Sequence, residues 1–100
     1  MPGINTEVPH QLGQQDATER LKKLLEEVRR KYSDFVTELR GEWADNVLNF
    51  SLKTYGFKID GILTVEDDRA KLSADLPFAA LAFRGKIEQS IVTELRRELS

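Results

Sequence analysis

Apolar and polar residues along the chain follow two different periods, and the changes between them mark the predicted elements. Gly3–Val8 alternates apolar and polar residues before Pro9, which cannot donate a hydrogen bond to a neighbouring strand. This pattern predicts a short edge strand. The next apolar residues recur at helical spacing and predict a long helix over Gln14–Tyr32; they are Ala17, Leu21, Leu24, Leu25, Val28 and Tyr32.

From Asp34 the period changes to two and predicts four consecutive strands. Their ranges are Phe35–Ala44, Val47–Thr54, Phe57–Glu66 and Arg69–Leu76. Turn residues at Asp45-Asn46, Tyr55-Gly56 and Glu66-Asp67-Asp68 separate them, so the short links predict an antiparallel meander with one apolar face. Gly61 interrupts the apolar row, where a bulge or a closely packed helix would explain a missing side chain; we interpret it as a device that curves the sheet.

Pro77 ends the last strand, and helical spacing returns over Phe78–Leu99. Gly85 inside this helix predicts a close packing contact or a kink, because glycine is unfavourable in a helix interior. The chain is therefore predicted to be α+β: a strand, a long helix, a four-strand antiparallel meander and a C-terminal helix packed on the sheet. Residues 1–100 are expected to form a single domain.

Composition narrows the possible partners and compartments. The formal net charge of −2, with both signs interleaved, lacks the basic excess that nucleic-acid binding requires. No apolar run is long enough for a transmembrane segment, and Met1–Asn5 has no signal-peptide pattern, so we expect a cytoplasmic protein. The absence of cysteine removes disulfides and thiolate chemistry, and no cofactor is predicted.

Residues with catalytic or metal-binding potential have simpler structural interpretations. His10 is the single histidine, and we expect it to cap the turn between the first strand and the helix. Glu66-Asp67-Asp68 lacks the ligand spacing of a calcium loop and is expected to be a solvated turn. Asp60 and Asp75 fall on the polar face of the sheet, so no catalytic residue and no metal ligand is predicted.

Two groups of residues are candidates for ligand or partner contact. The segment that contains Phe78, Leu81 and Phe83, followed by Arg84, is more apolar than one helix face requires, and exposed apolar surface often marks an interaction site. Trp43 could stack on a ligand between sheet and helix, although large core side chains are more common. Tyr55 is the other candidate. With Ile62 and Val47 it is expected on the outer sheet face, which could pair with a second copy of the protein to form a homodimer.

Several short motifs, in their order and spacing, resemble the polyhydroxyalkanoic acid system protein family over nearly the whole chain. They are Pro9-His10-Gln11-Leu12-Gly13 with Ala17, Arg20 and Leu21, then Trp43 with Phe50, Gly61 with Val65-Glu66-Asp67-Asp68, and Gly85-Lys86-Ile87-Glu88. The resemblance implies a small bacterial cytoplasmic protein, a fold similar to a reduced helix-grip domain, and an association with polyester storage granules. It supplies no catalytic residues.

The resulting hypothesis is a non-enzymatic accessory or binding protein whose apolar surface around the C-terminal helix contacts a polyester granule, a hydrophobic ligand or a partner protein. The alternative is a small helix-grip-type enzyme or carrier for a hydrophobic acyl ligand. The two differ in whether the space between sheet and C-terminal helix is closed or open, which the sequence does not decide.

Overall fold

The computed structural model describes residues 3–100 as a five-stranded antiparallel sheet with helices on one face. The strands are β1 (Gly3–Pro9), β2 (Val36–Ala44), β3 (Val47–Thr54), β4 (Phe57–Val65) and β5 (Arg69–Asp75). The helices are α1 (Gln14–Leu21), α2 (Leu24–Lys31) and α3 (Arg84–Leu99), with a 3-10 segment over Phe78–Phe83. The predicted α+β class, with a C-terminal helix packed on the sheet, is confirmed.

The sheet order is β1-β5-β4-β3-β2, so the meander pairs each strand with the next and β1 joins its far side. β1 lies at the edge of the sheet, as predicted, and Pro9 ends the strand opposite Arg69. Alternation is clearest in β4, where Ile59, Gly61 and Leu63 are buried and the residues between them are exposed. The period-two pattern therefore identified both strands and faces.

The single long helix predicted over Gln14–Tyr32 is interrupted. At Lys22-Lys23 the helix tightens, because the Lys23 amide donates to the Arg20 carbonyl at 3.3 Å, three residues back instead of four. The two halves pack on different surfaces: α1 contacts α3 and β4, whereas α2 contacts β2 and α3. The break between α1 and α2 lets α1 contact β4 and α2 contact β2.

The core lies between the sheet and the helices at the β1–β5–β4 side. Ile4, Leu21, Ile59, Leu63 and Leu95 are all fully buried there, and they come from four different elements. Packing of α3 against β1 and α1 closes this side. On the other side of the sheet α2 packs on β2, whereas α3 packs mainly on β1, so the closure of the molecule is asymmetric.

Gly61 is part of a regular ladder, paired with Phe50 on β3 and Ala74 on β5, so our interpretation of it as a bulge is wrong. The register shift in the sheet lies instead in β2, between Val36 and Glu38. A Cβ at Gly61 would lie under 3.0 Å from three carbons of the Phe50 ring. Glycine therefore makes room for an aromatic side chain of the adjacent strand.

The C-terminal helix also differs from its prediction at its start. Phe78–Phe83 is a 3-10 segment, and the α-helix begins at Arg84. Gly85 consequently lies in the first turn, and a Cβ there would meet nothing within 4 Å. Neither a close packing contact nor an interior kink explains this glycine.

Candidate functional site

An open apolar groove lies between α2, α3 and the end of β3. Its volume is about 140 Å³, and it is lined by Val28, Tyr32, Phe35, Val36, Leu52, Thr54, Tyr55, Lys86, Ile87, Ser90, Ile91 and Glu94. Two of these residues, Lys86 and Glu94, carry charge. The combination of apolar walls with few polar groups is typical of sites for small hydrophobic ligands.

A second space of about 70 Å³ adjoins the groove, and the two share Val28, Leu52, Ile91 and Glu94 as lining residues. Its other walls are apolar side chains of α2 and the sheet: Leu24, Leu25, Leu39, Leu48, Phe50, Leu63 and Leu72. We call the first space the outer chamber and the second the inner chamber. The sheet and α3 therefore do not close completely on each other, and the space between them is open.

The outer chamber exists because of a tight turn and a stacked pair of rings. Tyr55 and Gly56 link β3 to β4 with φ angles of 54° and 80°, the combination that a two-residue hairpin needs. The turn places the Tyr55 ring against Phe83, with centroids 4.9 Å apart and planes within 7° of parallel. Phe35 also packs against Tyr55, with ring centroids 6.2 Å apart and planes tilted by 42°. Tyr55 is therefore a wall of the groove and not part of the outer sheet face, where we had placed it.

Glu94 lies where the two chambers meet, and its side chain is 3% exposed. Its carboxylate accepts hydrogen bonds from the Tyr32 hydroxyl at 3.1 Å, Lys31 Nζ at 3.2 Å and Arg97 Nη1 at 3.4 Å. These three donors compensate the large desolvation cost of a buried carboxylate. Burial, together with the hydrogen bond to Glu94 and its charge, raises the pKa of the Tyr32 phenol.

The 3-10 segment presents apolar side chains next to the groove. Phe78 is 78% exposed, Leu81 39% and Phe83 36%, whereas Ala80 is buried and fixes the segment on the core. We call Phe78, Leu81 and Phe83 the apolar patch. Three residues that the sequence singled out thus lie together on the surface, and Arg84 follows them as the first, exposed residue of α3.

Trp43 lies away from these residues. It pairs with Leu48 near the start of β3, while Tyr55 follows the end of that strand. At about 3.3 Å per residue, this separates the two by about 20 Å. Trp43 packs partly buried against the core, and its Nε1 atom is buried without a hydrogen-bond partner in the part of the chain described.

His10 occupies the end of the sheet opposite the apolar patch and is buried. Its Nε2 atom lies 2.9 Å from the Glu66 carbonyl, and its Nδ1 accepts the Leu12 amide at 3.2 Å. Asp67 accepts the amide of Gln14 at 3.1 Å, at the start of α1. These bonds hold the strand-to-helix turn together, which is the structural role expected for His10.

Within residues 3–100, no group of three or more histidine, aspartate or glutamate side chains is placed to hold a metal ion. In the same range, none of the helices combines the length and apolar character needed to cross a bilayer.

Glu94 is a charged residue of the groove that the sequence analysis did not identify. Its spacing carried a signal: it lies seven residues after Ile87 and three after Ile91, on the same helical face as both. A carboxylate within an apolar stripe predicts a buried charge. Its partners Lys31 and Tyr32, however, are distant in sequence and were not predictable.

Taken together, the sheet and the flanking helices define a small α+β domain with an open apolar groove beside its C-terminal helix. The chain belongs to the polyhydroxyalkanoic acid system protein family, whose model matches residues 4–99. The resemblance found in the sequence is thereby confirmed. The family description places the protein in the polyhydroxyalkanoic acid system and names no reaction. Comparison with curated proteins gives no significant match.

Proposed function

We propose that this protein is a non-enzymatic accessory protein of the polyhydroxyalkanoate system that binds the polyester granule through the apolar patch. The observation that carries the proposal is the exposure of Phe78, Leu81 and Phe83 within the six-residue 3-10 segment that precedes α3. Membership of the family supplies the setting. The site of action would be the granule surface in the bacterial cytoplasm.

The chemistry of the patch suits a polyester surface. Such a surface is apolar and carries ester carbonyls, so it offers aliphatic contact and hydrogen-bond acceptors but no fixed charge. Phe78 is almost free of intramolecular cover, and the exposed Arg84 beside the patch has guanidinium donors that can reach ester oxygens. The patch therefore combines apolar contact with a polar anchor.

The test is co-sedimentation of the purified protein with isolated polyhydroxyalkanoate granules. Full burial of an aromatic or aliphatic side chain contributes about 1.5–3 kcal/mol, so the exposed parts of Phe78 and Leu81 account for about 2–3 kcal/mol together. Replacing both by serine should weaken granule binding about 30- to 150-fold. Both side chains are exposed, so the fold should be retained.

The matched control is Ile62→Ser, which removes an exposed apolar side chain from the opposite face of the sheet. Its granule binding should equal that of the wild type. Equal binding by the Phe78→Ser/Leu81→Ser variant, or an equal loss in the Ile62→Ser control, would refute the patch as the contact surface.

The groove supports a second candidate function, a carrier for a hydrophobic acyl ligand. The observation in its favour is the pair of adjoining chambers with apolar walls beside α3. A helix-grip domain that holds its ligand between sheet and helix would use this space, and the likeness to such domains is part of the proposal. Binding of a soluble acyl compound, with methyl shifts at Leu52 and Ile91, would distinguish a carrier from a pure surface binder.

A further inference from the structure

We propose that the groove binds one medium-chain carboxylic acid, with its carboxylate at Lys86 and its alkyl chain running past Ile91 into the inner chamber. This inference rests on the carrier function proposed above and specifies its ligand class. It names a head-group residue and a direction of binding.

The charge at the entrance selects the head group. Lys86 is exposed, its Nζ lies 5.7 Å from the centroid of the Tyr55 ring, and no carboxylate of the described residues lies within 4.0 Å of it. The other charged lining residue, Glu94, is already hydrogen-bonded to three donors. An anionic head group therefore finds a free cation at Lys86, whereas a cationic head group finds no free anion.

The length and the apolar walls of the groove favour an alkyl tail on the ligand. Lys86, Ser90 and Glu94 follow one another at intervals of four residues along α3, so they form a row along one wall of the outer chamber. Eight residues of helix span about 12 Å, on the order of the length of a ten-carbon chain. Beyond Glu94 the inner chamber is lined by apolar side chains, which suits the end of an alkyl chain.

The orientation of the ligand follows from the difference between the two ends of the groove. A carboxylate placed in the inner chamber would be buried without a hydrogen-bond donor and next to the Glu94 carboxylate, at a cost of several kcal/mol by desolvation. The same group at Lys86 stays close to water and to a cation. The tail-in orientation is therefore the favoured one.

The experiment is a methyl NMR titration of the full chain with decanoate and with decyltrimethylammonium, each below its critical micelle concentration. We expect decanoate to give saturable shifts at the methyl groups of Leu52, Ile87 and Ile91, and decyltrimethylammonium to bind more weakly. Lys86→Glu should weaken decanoate binding about tenfold and reverse the preference between the two head groups.

Lys58→Glu makes the same change of charge on the exposed outer face of β4 and should leave both affinities unchanged. Leu52→Trp fills the groove and should abolish decanoate binding, while Ile62→Trp on the outer face should not. A loss of decanoate binding that is equal in Lys86→Glu and Lys58→Glu would overturn the proposal. Undiminished binding by a folded Leu52→Trp variant would also overturn it.

The outcome separates this inference from granule binding. The Phe78→Ser/Leu81→Ser variant should lose granule binding but retain decanoate binding, because neither side chain lines the groove. Granule binding without any saturable decanoate shift would refute the groove ligand alone. Decanoate binding by a protein that does not bind granules would refute only the proposed granule contact.

Discussion

Gly61→Ala tests the packing that shapes the inner chamber. The new Cβ would lie under 3.0 Å from three carbons of the Phe50 ring, so the ring has to move. Overpacking of this kind costs about 1–3 kcal/mol, and alanine recovers about 0.5–1 kcal/mol of the backbone entropy that glycine loses on folding. Phe50 is only partly buried and lines the inner chamber, so its ring can swing into that space. We therefore expect a net loss of about 1 kcal/mol.

The assay is urea unfolding at equilibrium, supported by thermal melting, in which about 1 kcal/mol lowers the midpoint by about 4–8 °C for a domain of this size. Phe50→Leu should cost clearly less in the Gly61→Ala background than in the wild type, because it removes the clash. Gly85→Ala is the control, since a Cβ there meets nothing within 4 Å, and it should be neutral or slightly stabilising. A Gly61→Ala protein as stable as the wild type, or additive effects in the double variant, would refute this reasoning.

Two further predictions concern buried polar groups. The raised pKa of Tyr32 means that the unfolded chain loses its phenol proton first, so the stability from this group is complete below about pH 10 and falls as pH rises toward the folded pKa. Tyr32→Phe should flatten that decline in denaturation curves measured between pH 9 and about 11, and an unchanged decline would contradict the assignment. His10→Ala leaves the Glu66 carbonyl and the Leu12 amide without their partner, so we expect a loss of about 1–3 kcal/mol. Hydrogen exchange at the Leu12 amide should accelerate, and unchanged protection would exclude the bond.

The strands were predictable because their signal is local. Alternation places each strand within a residue or so of its observed bounds, and the turn residues Asp45-Asn46 and Tyr55-Gly56 mark the hairpins. Which face is buried also follows from alternation alone. The overall class therefore needed no tertiary information.

Two departures from prediction concern tertiary contacts. No glycine or proline marks the break at Lys22-Lys23, which lies where the strand contact changes from β4 for α1 to β2 for α2. Gly61 lacks a side chain because of the Phe50 ring on the next strand, and the sequence shows only that the side chain is missing.

The groove could not be predicted from the sequence either, because it also depends on tertiary contacts. Its walls come from elements far apart in sequence, and Glu94 meets Lys31 across 63 residues. The exposed apolar segment was predictable from composition, whereas the stacking of Tyr55 on Phe83 was not. The sequence therefore identified the apolar patch better than the groove.

The pairing of the first strand with the last has a consequence for the order of folding. Each meander hairpin closes a loop of a few residues, but Thr6 pairs with Leu72, about 66 residues away. By loop-closure entropy this contact costs about 3 kcal/mol more than a two-residue hairpin, so β1 is expected to join a meander that already exists. Helix α3 packs on β1 more than on any other strand. The wall of the groove that carries Lys86 and Glu94 is therefore expected to form late in folding, and a ligand that holds α3 in place would slow unfolding from that side.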